Sequence, residues 1–134
     1  MKDLYGEIII PNAVRDEVTV KNTQCLDGHD WVRATAITNF AVKEMFTSAL
    51  HDGEVEVILL AKEVDAALVI MDDGLARRHA KYLGLTVTGT VGVLLRAKSA
   101  GIITELTPIL DNLIQNNFYI SDNLYCEVLS IAGE

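Results

Sequence analysis

An α/β domain built on a mostly parallel sheet is the fold class this sequence predicts, and three observations carry it. Short apolar runs, "EIII" at 7–10 and "AALVIM" at 66–71, alternate with longer segments of helical spacing. The second run is apolar without interruption, as befits a parallel strand covered on both faces. The chain has 134 residues, half of them apolar, with no repeat, low-complexity tract or linker, so it fits one domain over 1–134 with a substantial core.

The elements follow in order. Glu7 to Ile10 reads as a strand that Pro11 ends, and "NAVRDEVTV" continues as a helix with Val14 and Val18 on one side. Residues 31–42, "WVRATAITNFAV", alternate imperfectly, as a strand running into a loop does, and 43–50 form a short helix. Asp52 is the expected N-cap of "GEVEVILLAKEV", a helix apolar on most sides and therefore buried. After the strand at 66–71, a helix from Asp73 to Leu83 carries Leu75, Ala76, His79, Ala80 and Leu83 on one stripe, with Arg77, Arg78 and Lys81 facing away. "GLTVTGT" gives a loop and a short strand, and Thr88 or Thr90 caps a helix that Gly101 ends. Thr107 with Pro108 forms a cap and first turn, Ser121 starts the last helix, and Ile120 with Tyr125 has the spacing of a hydrophobic staple.

Charge and composition exclude several classes. A formal net charge of -8 argues against a broadly basic nucleic-acid surface, while leaving room for a local basic groove or an acidic pocket neutralised by a metal. Mean hydropathy of +0.26 is too high for an intrinsically disordered chain. The longest apolar stretches, such as "VILLA" at 57–61, fall far short of the ~20 residues of a membrane span. "MKDLYGEIII" lacks the layout of a signal peptide, and Cys25 and Cys126 have no metal or redox spacing. The expectation is a cytoplasmic protein with two reduced, partly buried cysteines.

"VIMDDGLARR" concentrates the chemistry. Asp72 and Asp73 stand where the strand turns into a helix, at the carboxyl end where open α/β sheets collect ligands. Adjacent carboxylates repel and need water, a base or a cation, and a hard divalent ion takes one or two carboxylates with waters. The plain alternative is an N-cap, with Asp73 paired to Arg77 one turn on, and these residues alone favour it. Glu54 falls in the first turn of the buried helix, where the helix dipole already stabilises a carboxylate. Glu56 lies about 200° round from Glu54, so only one of them faces a common site. Glu17 borders the Val14/Val18 stripe and taken alone reads as a solvated charge.

The order of these motifs resembles the PIN-domain family, in a prokaryotic uncharacterised PIN-like branch. "YGEIIIPNAVRDEV" is similar to the family's second strand and following helix, with Glu17 in the place of its acid. "DGEVEVILLAKE" is similar to its acidic helix, with Glu54 the better counterpart. "ALVIMDDGLARRHAKYLGLTVTGTVGVLLRAKSAGII" resembles the strand, acidic pair, Ala-Arg helix and Gly-Thr loop of that branch, Asp73 matching its late acid and Asp72 standing beside it. The resemblance implies a Rossmann-like, three-layer fold and an Mg²⁺- or Mn²⁺-dependent ribonuclease acting on single-stranded RNA, of toxin–antitoxin type. Glu17, Glu54 and Asp73 would be catalytic and hold metal with Asp72, and Arg77, Arg78, Lys81 and Arg96 would contact phosphates. Metal, RNA and an antitoxin protein are the implied partners, with no membrane.

One departure goes with it. The family opens with a strand bearing an Asp or Asn, a Thr-Ser-Pro-like turn and a helix, whereas this sequence starts at "MKDLYGEIII". Relative to the family it reads as N-terminally truncated: either about twenty residues are missing from the start of the sequence or this is a shortened natural form, and in the second case the sheet is expected to have a gap beside "EIII" and "ALVIM". Strand rearrangement or a homo-oligomer is the expected remedy.

Other readings rank lower. His79 sits on an apolar stripe and reads as a core or interface histidine, and His29 and His51 make no ligand pair. "GTVG" at 89–92 lacks the lysine and spacing of a P-loop, and there is no nucleophile elbow. A non-catalytic PIN-like scaffold acting by oligomerisation or by protein or RNA binding ranks second. A receiver domain ranks third, because its acidic pair belongs on the first strand and no later strand presents a convincing lysine.

Overall fold

The computed structural model describes residues 1–21, 28–46 and 50–134. Cys25 lies outside them. The elements are α1 (Lys2–Tyr5), β1 (Ile8–Pro11), α2 (Asn12–Lys21), β2 (Val32–Thr35), α3 (Phe40–Phe46), α4 (Asp52–Glu63), β3 (Val69–Ile70), α5 (Gly74–Tyr82), β4 (Val87–Thr88), α6 (Thr90–Ser99), α7 (Thr107–Gln115) and α8 (Asp122–Ala132). They form two compact units, Met1–Thr88 and Gly89–Glu134.

In the first unit the expected parallel sheet is present as two pairs. β1 runs parallel to β2 with Ile8 opposite Val32 and Pro11 opposite Thr35, and β3 runs parallel to β4 with Val69 opposite Val87. Pro11 ends β1 from within the strand rather than from just beyond it. It is the last residue of the ladder and fully buried, a position its missing N–H permits at a strand end. α4 is the hub: β1, β3, α2, α3 and α5 all pack against it. Its apolar character is used as predicted, with Val55, Ile58, Leu60 and Ala61 buried. Val55, Ile58 and Ala61 join Val69 of β3, Met71 just after it, and Ala76 and Ala80 of α5 in one core.

The starts of α4, α3 and α6 differ from the sequence expectation, each because a glutamate or glycine takes a role that the local pattern assigned elsewhere. α4 is capped at His51, not Asp52, because the Glu54 carboxylate folds back to accept the His51 backbone N–H at 3.1 Å. α3 begins at Phe40 rather than 43, and Glu63 of α4 accepts the N–H groups of Thr38 and Asn39 just ahead of it, each at 3.0 Å. Burial disfavours the Glu63 charge, yet these N–H donors hold its carboxyl below the ordinary value. α6 is capped at Gly89, so that Thr88 closes β4 and Thr90 is the first helical residue.

The second unit packs α6, α7 and α8 around Leu106, Leu110 and Val128. Ser121 caps α8 as expected, its hydroxyl accepting from Leu124 N–H at 3.3 Å, and Ile120 and Tyr125 both join the cluster. Gly101, at φ 70°, ends α6 in a conformation that favours glycine. Cys126 is free and exposed, not partly buried.

Thr107 is not a cap. It is the first residue of α7, because Glu134 reaches this helix start from α8's far end: its carboxylate accepts from Leu106 N–H at 2.6 Å, Thr107 N–H at 2.9 Å and the Thr107 hydroxyl at 2.5 Å. Lys98 completes the set at 2.8 Å. The Lys98 ammonium foremost, then the Thr107 hydroxyl and the two N–H groups, hold the Glu134 carboxyl at about 2, against an ordinary 4.5. A depressed folded-state pKa stabilises above the unfolded value and is lost as pH falls through the folded one. Beyond the intrinsic pH dependence of exchange, the protection of the Leu106 and Leu110 amides is therefore expected to fall progressively from pH 4.5 towards 2, and Glu134→Gln is expected to remove that component.

Candidate functional site

A cleft of about 790 Å³ opens in the first unit between α2, the start of α4 and the turn after β3. Its wall includes Glu17, Asp52, Glu54, Asp72 and Asp73, with His51 beside them. All four expected metal ligands, Glu17, Glu54, Asp72 and Asp73, thus share one concavity. Asp52 and His51 were not singled out for it, and only their neighbourhood to Glu54 in sequence could have indicated them.

The acids arrive there for different reasons. Asp73 is the N-cap of α5, its Oδ1 accepting from Leu75 N–H at 2.9 Å and Ala76 N–H at 2.8 Å. The capping reading of Asp73 holds. Its pairing with Arg77 does not: the Arg77 guanidinium donates to the Met71 carbonyl at 3.3 Å. Arg77 is accordingly half-buried rather than facing away, while Arg78 and Lys81 are exposed as expected. On the same helix Ala76 and Ala80 are fully buried, His79 and Leu83 half-buried, and Leu75 stands at the stripe's exposed margin. Arg96 is exposed on α6 of the second unit.

Glu17 occupies a position that a glycine creates. A Cβ at Gly53 would come within 2.6 Å of Glu17 Oε1 and 3.4 Å of Val14 Cγ2. Gly53 is buried in the first turn of α4, so the bare Cα lets the Glu17 carboxylate settle over the positive end of that helix. Glu54, the next residue, turns its carboxylate to His51 as described.

Glu56 is the acid that the site does not use. It is buried, and its two oxygens are both engaged: Oε1 accepts from Lys43 Nζ at 2.8 Å and Oε2 from Ala13 N–H at 3.1 Å. Lys43, on α3, lies also 3.6 Å from Asp52. Its hydrogen bond to Glu56 is the main reason that its ammonium is held above the ordinary lysine value, outweighing the burial that opposes it. The choice between Glu54 and Glu56 is therefore made by geometry, with Glu54 on the cleft and Glu56 turned inward. Nothing in the sequence pattern marks Lys43 as its partner.

Carboxylate oxygens suit Mg²⁺ or Mn²⁺ in kind. In placement, no three His, Cys, Asp or Glu side chains among the described residues converge closely enough to hold a metal ion. Two of the expected ligands, Glu54 and Asp73, serve as helix caps. No described helix is long and apolar enough to cross a membrane.

Comparison with known proteins gives one match. The DUF3368 family model, a PIN domain, matches residues 1–134. No curated protein and no solved structure matches the chain.

Proposed function

We propose that this chain, which belongs to the PIN-domain family, acts on nucleic acid at the acidic cleft, as an Mg²⁺- or Mn²⁺-dependent endoribonuclease of toxin–antitoxin type. The observation that carries the reading is the gathering of Glu17, Glu54, Asp72 and Asp73 from three separate stretches of sequence into one concavity. In this reading the four carboxylates would supply the oxygen ligands of a cation only once drawn closer together than they stand here, and the cation's part would be to lower the pKa of an attacking water and offset charge on the phosphate. Arg77, Arg78 and Lys81 on α5 would contact the backbone of single-stranded RNA; Arg96, on the second unit, is proposed separately as a phosphate-binding residue. An antitoxin protein and a homo-oligomer belong to the same reading.

The protein's own groups are poised for part of this work. Asp73 and Glu54 are held rigidly by the N–H groups that they cap, and the α4 helix start supports the Glu17 charge. A second reading has its own observation: the absence of three converging donors among the described residues favours a non-catalytic PIN-like scaffold that binds a protein partner, itself or RNA.

Mn²⁺ titration followed by paramagnetic NMR broadening separates the two. The nuclease reading expects broadening confined to Glu17, Glu54 and Asp73 and their neighbours, together with Mn²⁺-dependent cleavage of single-stranded RNA. Asp73→Asn should abolish both while sparing the fold, since asparagine caps a helix as well as aspartate does. A cluster untouched by millimolar Mn²⁺ would leave the scaffold reading in place.

A further inference from the structure

The buried pair Glu56–Lys43 has no part in the cleft itself, yet it holds the element that brings Glu17 there. Ala13 and Glu17 are one turn apart on α2, and Gly53 and Glu56 one turn apart on α4. Ala13 meets Glu56, and Glu17 meets Gly53. Forward along α2 is backward along α4, so the helices cross antiparallel on two rungs. One rung is a hydrogen bond from a helix-start N–H to a buried carboxylate. The other is a carboxylate lying on a bare Cα.

We infer that Glu56, oriented by Lys43, is a positioning residue for Glu17: it fixes the start of α2 on α4 and so sets the Glu17 carboxylate over Gly53. Three facts make the rung specific. Glu56 is only 7 % exposed, so its carboxylate has no solvent alternative. Lys43 takes one oxygen and leaves the other aimed at Ala13. The N–H of Ala13 lies in the first turn of α2, where no intrahelical acceptor exists for it. The inference deepens the reading of the acidic cleft and rests on it for the metal alone; the placement of Glu17 stands apart from whether a cation binds.

The test is an NMR comparison on the full chain at neutral pH. The reporter is the change in the Gly53 amide resonance produced by Glu17→Gln, which measures how closely that charge sits over the helix start. In an otherwise unchanged protein the change is expected to be distinct, and in a Glu56→Leu background, which removes the acceptor for Ala13 N–H, it is expected to be lost. The response of Leu75 and Ala76 amides to Asp73→Asn serves as control and should persist in both backgrounds. A purely structural role for Glu56 would lower stability and leave the Gly53 response intact. Should Glu56→Leu fail to fold, the paired variant Lys43→Met with Glu56→Leu, which removes both charges and the acceptor for Ala13, carries the same expectation. A Gly53 response of full size in the folded variant overturns the inference. Mn²⁺ added to the same samples reads the metal separately: no broadening in the parent protein refutes the metal reading, while the Gly53 comparison still decides the role of Glu56.

Discussion

Ile58→Ala is expected to destabilise the first unit by roughly 3–4 kcal/mol, the usual cost of emptying a fully buried aliphatic position. Ile58 is 1 % exposed and lies midway along α4, in the core shared with β3 and α5. The methyl groups removed leave a cavity between a helix and a strand pair only two residues long, which has little backbone pairing of its own to resist collapse. Urea unfolding read through tryptophan fluorescence at Trp31, the single tryptophan, measures the loss in this unit. A cost below about 1 kcal/mol would mean that α4 is not the hub described.

Lys43→Met is expected to cost about 3 kcal/mol, because it removes one partner of a buried pair and strands the Glu56 charge. The lower end of the range applies, since the Lys43 side chain keeps 19 % of its exposure and Glu56 keeps 9 %. Adding Glu56→Leu to Lys43→Met should recover most of that loss, as apolar replacements of buried ion pairs often do. A double-mutant cycle by denaturant unfolding checks this. Equal losses in the single and double variants would show that losing the Ala13 hydrogen bond costs as much as removing the stranded Glu56 charge recovers.

Sequence alone reaches far along this chain and stops at an identifiable physical limit. The buried helix at 52–63, the parallel strand before Asp72, the Asp73 cap, the Ser121 cap and the stop at Gly101 all rest on patterns a few residues wide, and all are present. The helix starts at 40 and 107 were misplaced because carboxylates outside the local pattern decide them, and the start at 52 because Glu54 reaches back to His51. Glu63 serves α3 and Glu134 serves α7 from distant sequence, and Glu54 serves α4 from inside the helix. A cap signal of Ser, Thr, Asp or Asn cannot register an acceptor supplied from elsewhere. The same limit holds at the cleft. Glu17, Glu54, Asp72 and Asp73 were legible as a group by type and position, whereas the inward turn of Glu56 depends on Lys43, thirteen residues away. Arg77 was misread because a long side chain on the polar side of a helix can still fold back to a carbonyl, here that of Met71.

Gly53 makes the placement of one side chain contingent on the smallness of another. A Cβ at 53 would stand 2.6 Å from Glu17 Oε1, the far end of a flexible and exposed side chain, so the glutamate and not the backbone would give way. Alanine at 53 would gain helix propensity, and what it would forfeit is the address of a charge thirty-six positions earlier.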